Sequence, residues 1–267
     1  VDLLLMIDNS NSMTEEQVSI VMEIPRIINI LVSGDRDGDG VRDFTPARSL
    51  HVGVISSDMG TGAVSGIESC SAGFGDDGIM QNRGSTGTGC MATYPSAIFD
   101  FMDGRDDPGT FSTAIGCVAT LGTDGCGFEQ QLEAALKSVS LVPTADGTSP
   151  VTWTRPGYRP PVFNGSTFGH GGAGGSNDGF LRPDSALAIL LVTDEEDCSA
   201  IDTSIFDRTD PRYSSVDLNL RCHMFVDAQY PIQRYIDGFI GLRSQPSLLI
   251  FGAITGVPQD AVDSGLG

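Results

Sequence analysis

Residues 1–14 read VDLLLMIDNSNSMT, and the fold turns on how that stretch divides. Leu3–Ile7 is an unbroken apolar run, the pattern of a strand buried on both faces, as parallel sheets require. It drives into Asp8-Asn9-Ser10-Asn11-Ser12, an Asp-x-Ser-x-Ser array. Thr14-Glu15-Glu16-Gln17 then reads as a helix opening, its acidic first turn suited to the helix dipole. A carboxylate and two hydroxyls are therefore expected in a loop at the carboxyl end of a buried strand, where open α/β sheets place their ligands. Hard oxygen donors of this kind suit Mg²⁺, which keeps an octahedral shell and several waters. Asp and Ser at such a place also make an ordinary helix cap, and these residues alone leave both readings open.

The stretch resembles the first motif of von Willebrand factor type A domains. Their metal-ion-dependent adhesion site begins with Asp-x-Ser-x-Ser at the end of the first strand. That resemblance implies two further pieces, in order: a Thr from a second loop and an Asp from a third.

Working outward, 267 residues suffice for one large α/β domain with elaborated loops, and 40% hydrophobic content supports a sizeable core. Gly and Pro number 34 and 14, which signals many turns rather than disorder. Acidic residues outnumber basic ones 35 to 15, for a net charge of −20. Nucleic acid and anionic membrane surfaces are thus poor partners and divalent cations good ones. The first residues already belong to a strand, so the chain reads as a mature or clipped piece, and the missing signal peptide carries little weight.

The six cysteines, at 70, 90, 117, 126, 198 and 222, form no C-x-x-C pair, which argues against zinc. An even count in an acidic, Gly-rich chain favours disulfides and an extracellular or cell-surface location. Fifteen connectivities are possible. Pairing sequence neighbours predicts Cys70–Cys90, Cys117–Cys126 and Cys198–Cys222.

Residues 14–32 place Val18, Val21, Ile24, Ile27, Ile28 and Leu31 at helical spacing as a core-facing stripe, with Pro25 expected to kink it. The acidic run that follows sets Asp35, Asp37, Asp39 and Asp43 at positions 1, 3, 5 and 9 of a calcium loop. Gly40 stands at position 6 and the Val41 carbonyl at position 7. It resembles EF-hand-like, dockerin and thrombospondin type 3 loops, and departs from them at position 12, where Pro46 replaces the expected acid. Leu50–Ser56 reads as the second strand. Residues 58–108 read as an insertion around a short edge strand near Ile79–Gln81, and Phe111–Leu121 and Phe128–Val139 as helices. Between those helices lies Thr123, in the position the resemblance assigns to the metal-binding Thr, with Thr120 behind it. The intervening Gly125-Cys126-Gly127 departs from the family pattern.

Residues 143–185 read as a second, Gly- and Pro-rich surface insertion. Its Gly169-x-Gly171-x-x-Gly174 precedes a strand instead of following one, so it is not a dinucleotide site, and His170 reads as an exposed loop residue. Ala186–Val192 is the clearest buried strand, and it ends in Thr193-Asp194-Glu195-Glu196-Asp197. This resembles the family's Thr-Asp-Gly motif, with Glu195 in place of Gly. Four adjacent acids repel one another unless a cation offsets them. Val226–Leu242 reads as a helix and Leu248–Ile254 as a last strand. The resemblance implies a further strand and helix beyond it, so the chain reads as one domain stopping short of that ending. Within the family, Gly179–Asp184 (GFLRPD) and Gly125–Glu129 (GCGFE) look most like cysteine-bearing bacterial surface proteins.

The fold expected is therefore α/β, a doubly wound, mostly parallel sheet flanked by helices. The resemblance implies that Asp8, Ser10, Ser12, Thr123 and Asp194 hold Mg²⁺ or Mn²⁺, which bridges to an Asp or Glu carboxylate of a protein partner. Adhesion rather than turnover is the function so implied. A calcium-stiffened subunit of a surface filament, touching neighbouring copies of itself, is the first alternative. A metal-dependent hydrolase is the second: it is disfavoured because His51, His170 and His223 lie far from the motifs and no G-x-S-x-G elbow presents a nucleophile.

Overall fold

Alternate side chains of the first strand enter two different cores, which is what a double-sided sheet demands of an unbroken apolar run. In the computed structural model, which describes residues 1–85, 90, 93–165 and 167–256, β1 spans Asp2–Ile7 and is buried at every position. Leu4 and Met6 pack on one side with Ala134, Leu136, Tyr235 and Phe239. Leu3, Leu5 and Ile7 pack on the other with Ile20, Ile24, Ile28 and Ile115.

The remaining elements follow as α1 (Thr14–Ser33), β2 (Ser49–Ser56), β3 (Ile98–Met102), α2 (Pro108–Ala119), α3 (Gln131–Val139), β4 (Leu187–Val192), α4 (Arg221–Met224), α5 (Ile232–Gly241) and β5 (Leu249–Ile254). The sheet order is β3-β2-β1-β4-β5, with β3 alone antiparallel. Helices α1 and α2 cover one face, α3 and α5 the other. This is the α/β, Rossmann-like architecture expected. Strands β1 and β4 are neighbours in register, Met6 opposite Leu191 and Ile7 opposite Val192, so the two acidic motifs leave the sheet side by side.

Several local expectations need correction. The edge strand is Ile98–Met102 and not Ile79–Gln81, because Phe99 and Phe101 can bury themselves beside β2. The earlier segment contributes one amide, from Gln81 to the Val54 carbonyl (2.8 Å). Helix α1 runs through Pro25, and its buried face is Gln17, Ile20, Ile24, Ile28 and Val32, while Val18 and Val21 are exposed. The helix is rotated so that Gln17 Nε2 donates to the Asp8 carbonyl (3.1 Å), a polar contact that hydrophobic spacing cannot reveal. The helix expected over Val226–Leu242 is divided: a single 3₁₀ turn at Val226–Ala228 gives way to extended chain, and α5 starts only after Pro231, whose preceding residue is biased away from helical geometry.

Two of the three expected disulfides are re-paired: the bonds are Cys70–Cys126, Cys90–Cys117 and Cys198–Cys222. Local closure fails because the long β2–β3 connection folds back over the carboxyl rim. There Ile67, Cys126, Phe128, Ile205 and Phe206 form a third apolar cluster, and Cys70 lies against it. Among the described residues no helix is long and apolar enough to cross a membrane. The further strand and helix implied after Ile254 concern a region that includes residues 257–267, which lie outside the described ones.

Candidate functional site

Both motif strands end at the same rim. Asp8 is fully buried there, and its amide donates to the Val192 carbonyl (2.9 Å), the last bond of the β1–β4 ladder. Its carboxylate is held from three directions. The Ser10 amide (2.8 Å) and the Ser57 hydroxyl (3.2 Å) donate to Oδ1, and the Thr193 hydroxyl donates to Oδ2 (2.6 Å). The side-chain amide of Gln131 from α3 lies 2.9 Å from the Thr193 hydroxyl oxygen and helps to fix it.

In front of Asp8 the hydroxyls converge. Ser10 Oγ lies 2.9 Å from Ser12 Oγ, and Ser12 Oγ donates to Asp194 Oδ1 at 3.1 Å, across 182 positions of sequence. The first and third motif pieces thus meet at one point. Thr123 does not join them: it lines an adjoining hollow with Glu68, Asp124 and Arg208. Thr120 is buried and its hydroxyl donates to the Gly116 carbonyl inside the helix (2.9 Å).

What the second loop brings instead is Glu129, 3% exposed, at the wall of a hollow of about 290 Å³ shared with Ser10, Ser12, Glu195 and Glu196. Among the described residues no basic side chain lines this hollow. Burial first, and then the charges of Asp8 and Glu195, push the Glu129 carboxyl up to about 8, against a hydrogen bond with Ser10 that favours its ionised form. Burial together with Asp194, Asp8 and Glu196 likewise raises Glu195 above the usual carboxylate range. In the sequence Glu129 reads as an ordinary acid in the first turn of the expected helix Phe128–Val139, and nothing there marks it as buried.

The loop carrying Glu129 is fastened on all sides. Gly125 donates its amide to the Asn9 carbonyl (2.8 Å) and packs so closely that an added Cβ would lie 2.2 Å from Asn9 Oδ1. Cys198 donates its amide to the Glu129 carbonyl (2.7 Å). Gln130 Nε2 donates to the Gly60 carbonyl (3.0 Å) and its Oε1 accepts from the Ala200 amide (3.2 Å). Asp197, the last acid of the third motif, accepts the Leu132 amide (2.9 Å), and Ser199 Oγ accepts that of Glu133 (3.1 Å). These caps set the start of α3 at Gln131, three residues later than the apolar pattern predicts.

At the opposite end of α1 stands the acidic loop. Gly34 caps the helix in the left-handed conformation (φ 77°), and the side-chain oxygens of Asp35, Asp37 and Asp39 lie within 4.8 Å of one another, close enough to share an ion. Asp35 accepts the amides of Gly38 and Gly40 (2.7 and 2.9 Å), and Val41 donates to Asp39 (2.7 Å). Asp43 folds back to accept the Arg36 amide (2.7 Å). Pro46 rests against Gly34 and brings no side-chain oxygen. The twenty residues of α1 separate the two acidic sites by about 30 Å at 1.5 Å per residue.

His170 is buried, contrary to the exposed position expected. Its Nε2 lies 3.1 Å from Asp77 Oδ2, while the fully buried Lys137 donates to Asp77 Oδ1 (2.5 Å) and the Asn164 carbonyl (2.8 Å). Lys137 and His170 hold Asp77 below the usual carboxylate range even though burial opposes it. This triad ties the two long insertions to α3. No protein-family model, curated protein or solved structure matches the chain.

Proposed function

We propose that this chain is a von Willebrand factor A-like, extracellular protein-binding module that engages a partner through a divalent cation at the β1–β4 rim. One observation carries the reading: Ser10, Ser12 and Asp194 form a continuous chain of oxygens in front of a buried, immobilised Asp8. The sheet order with its single antiparallel edge, the three disulfides and the order of the motif pieces support it.

The donor set fits Mg²⁺ or Mn²⁺, being all oxygen and anionic with no competing basic side chain in the hollow. Ser10, Ser12 and Asp194 would hold the ion, with Asp8 ligating directly or through water. When bound, the ion supplies an electrophilic centre able to accept a carboxylate from an Asp or Glu of the partner. Ser57, Thr193 and Gln131 keep the Asp8 carboxylate in one orientation, so little ordering remains to be done on binding. The acidic loop would take Ca²⁺ through Asp35, Asp37, Asp39, Asp43 and the Val41 carbonyl, stiffening the opposite end of the molecule. The convergence of the three aspartates there also keeps the filament-subunit alternative open to test.

Calorimetric titration of metal-stripped protein tests the reading. Two unlike sites are expected, one preferring Mg²⁺ or Mn²⁺ and lost in Asp8→Ala and Ser10→Ala, one preferring Ca²⁺ and lost in Asp37→Asn. A Glu-containing peptide should bind only when the first site is loaded. Retention of Mg²⁺ affinity in a folded Asp8→Ala variant would overturn the assignment.

A further inference from the structure

Three observations around the hollow concern one side chain. Glu129 is 97% enclosed yet faces the same hollow as Ser10 and Ser12. Of the two threonines that could complete a family-like site, Thr120 is bonded to the Gly116 carbonyl of α2 and Thr123 lines the adjoining hollow. The backbone bearing Glu129 is pinned by bonds from Cys198 and through the neighbouring Gln130, so its side chain is aimed by a rigid support. A carboxylate walled in without a basic partner is costly to keep unless something compensates it, and a cation beside Ser10 would do so.

We propose that Glu129 is itself a ligand of the ion, supplying from the second loop a carboxylate oxygen in place of a threonine hydroxyl. The inference rests on the proposed cation site at Ser10, Ser12 and Asp194. It makes that site richer in negative charge than a hydroxyl-dominated one. Affinity should therefore be higher, and the preference should move from Mg²⁺ toward Mn²⁺ and Ca²⁺, which tolerate more carboxylate ligands. An ion so neutralised is also a weaker acceptor for a partner's carboxylate, and that carboxylate would compete with Glu129 for the same ion.

The test is a set of Mg²⁺, Mn²⁺ and Ca²⁺ titrations of the full chain in an Asp37→Asn background, which silences the acidic loop. Mn²⁺ electron paramagnetic resonance counts bound ions independently. Glu129→Gln, nearly isosteric, is expected to lower Mn²⁺ affinity at least tenfold, and Glu129→Thr to lower Ca²⁺ affinity more than Mg²⁺ affinity. Glu129→Asp keeps the charge and should bind better than Glu129→Gln, which separates ligation from loss of fold. Unchanged affinity in Glu129→Gln while Asp8→Ala abolishes binding would overturn the role of Glu129 and leave the site intact. Unchanged affinity in Asp8→Ala would overturn both.

Discussion

Lys137 sits in an environment that its type does not suggest. It is fully buried, paired with Asp77, and lies 5.8 and 5.7 Å from the ring centroids of Phe74 and Phe163. Removing one member of a buried pair strands the other, at a cost of about 3–5 kcal/mol. Lys137→Met should therefore lower the urea midpoint strongly without changing ion affinity at the β1–β4 rim. Asp197 gives a pH-dependent counterpart. Burial outweighs its bonds from Leu132 and Ser199 and pushes its carboxyl up to about 6. Its folded-state value thus exceeds the unfolded one, so the native state holds an extra proton between about pH 4 and 6. Stability from this group is lost as pH rises through that window. The Asp197→Asn variant should accordingly gain on the wild type as pH goes from 4.5 to 7, measured by denaturant unfolding at each pH. No change in the difference between them would show that Asp197 titrates normally. Which acids end up buried was not legible in the sequence. Asp194–Asp197 look alike on paper, yet Asp194 meets Ser12, Asp197 caps a helix and Glu196 faces His223 at 3.5 Å.

At the scale of elements, the contact between α1 and α2 is set by two residues that disfavour helices. The Pro25 ring lies against Gly116, where an added Cβ would approach Pro25 Cγ to 2.4 Å. Gly116→Ala gains intrinsic helix propensity of about 1 kcal/mol. A rigid ring cannot yield by rotamer change, so overpacking of about 1–3 kcal/mol should dominate and the variant should be destabilised. Chemical denaturation decides the sign. The strands were readable in the sequence because unbroken apolar runs have few other uses: β1, β2, β4 and β5 stand within a residue of where they were expected. The β3 edge and the division of the helix before β5 were not readable. The edge depends on which segment buries its phenylalanines beside β2, and the division on Pro231 within the segment, whose effect the apolar spacing does not show.

The whole molecule is strongly acidic, with a net charge of −20, and acids cluster beyond either end of α1. Ion binding to the native state alone adds stability as the logarithm of free ion concentration over the dissociation constant, about 2.7 kcal/mol at a hundredfold excess. With about 30 Å between the sites, the gains from Ca²⁺ and Mg²⁺ should add, and thermal unfolding with each ion separately and together measures this. The Cys70–Cys126 bond spans 56 positions and lies under the loop that bears Glu129. A closed loop of that length corresponds to about 4 kcal/mol of chain entropy. A Cys70→Ser/Cys126→Ser variant should lose comparable stability and weaken the rim site more than the acidic loop. The disulfide partners escaped the sequence because spacing along the chain says nothing about a connection that folds back over the rim.

Because Asp8 and Asp194 issue from adjacent strands that are distant in the chain, the proposed cation site would exist only in the finished topology. During synthesis the Asp8 motif leaves the ribosome nearly two hundred residues before the Asp194 motif that would complete the proposed site. Capture of Mn²⁺ during refolding should then appear no earlier than the pairing of β1 with β4, making the ion a timer for that step.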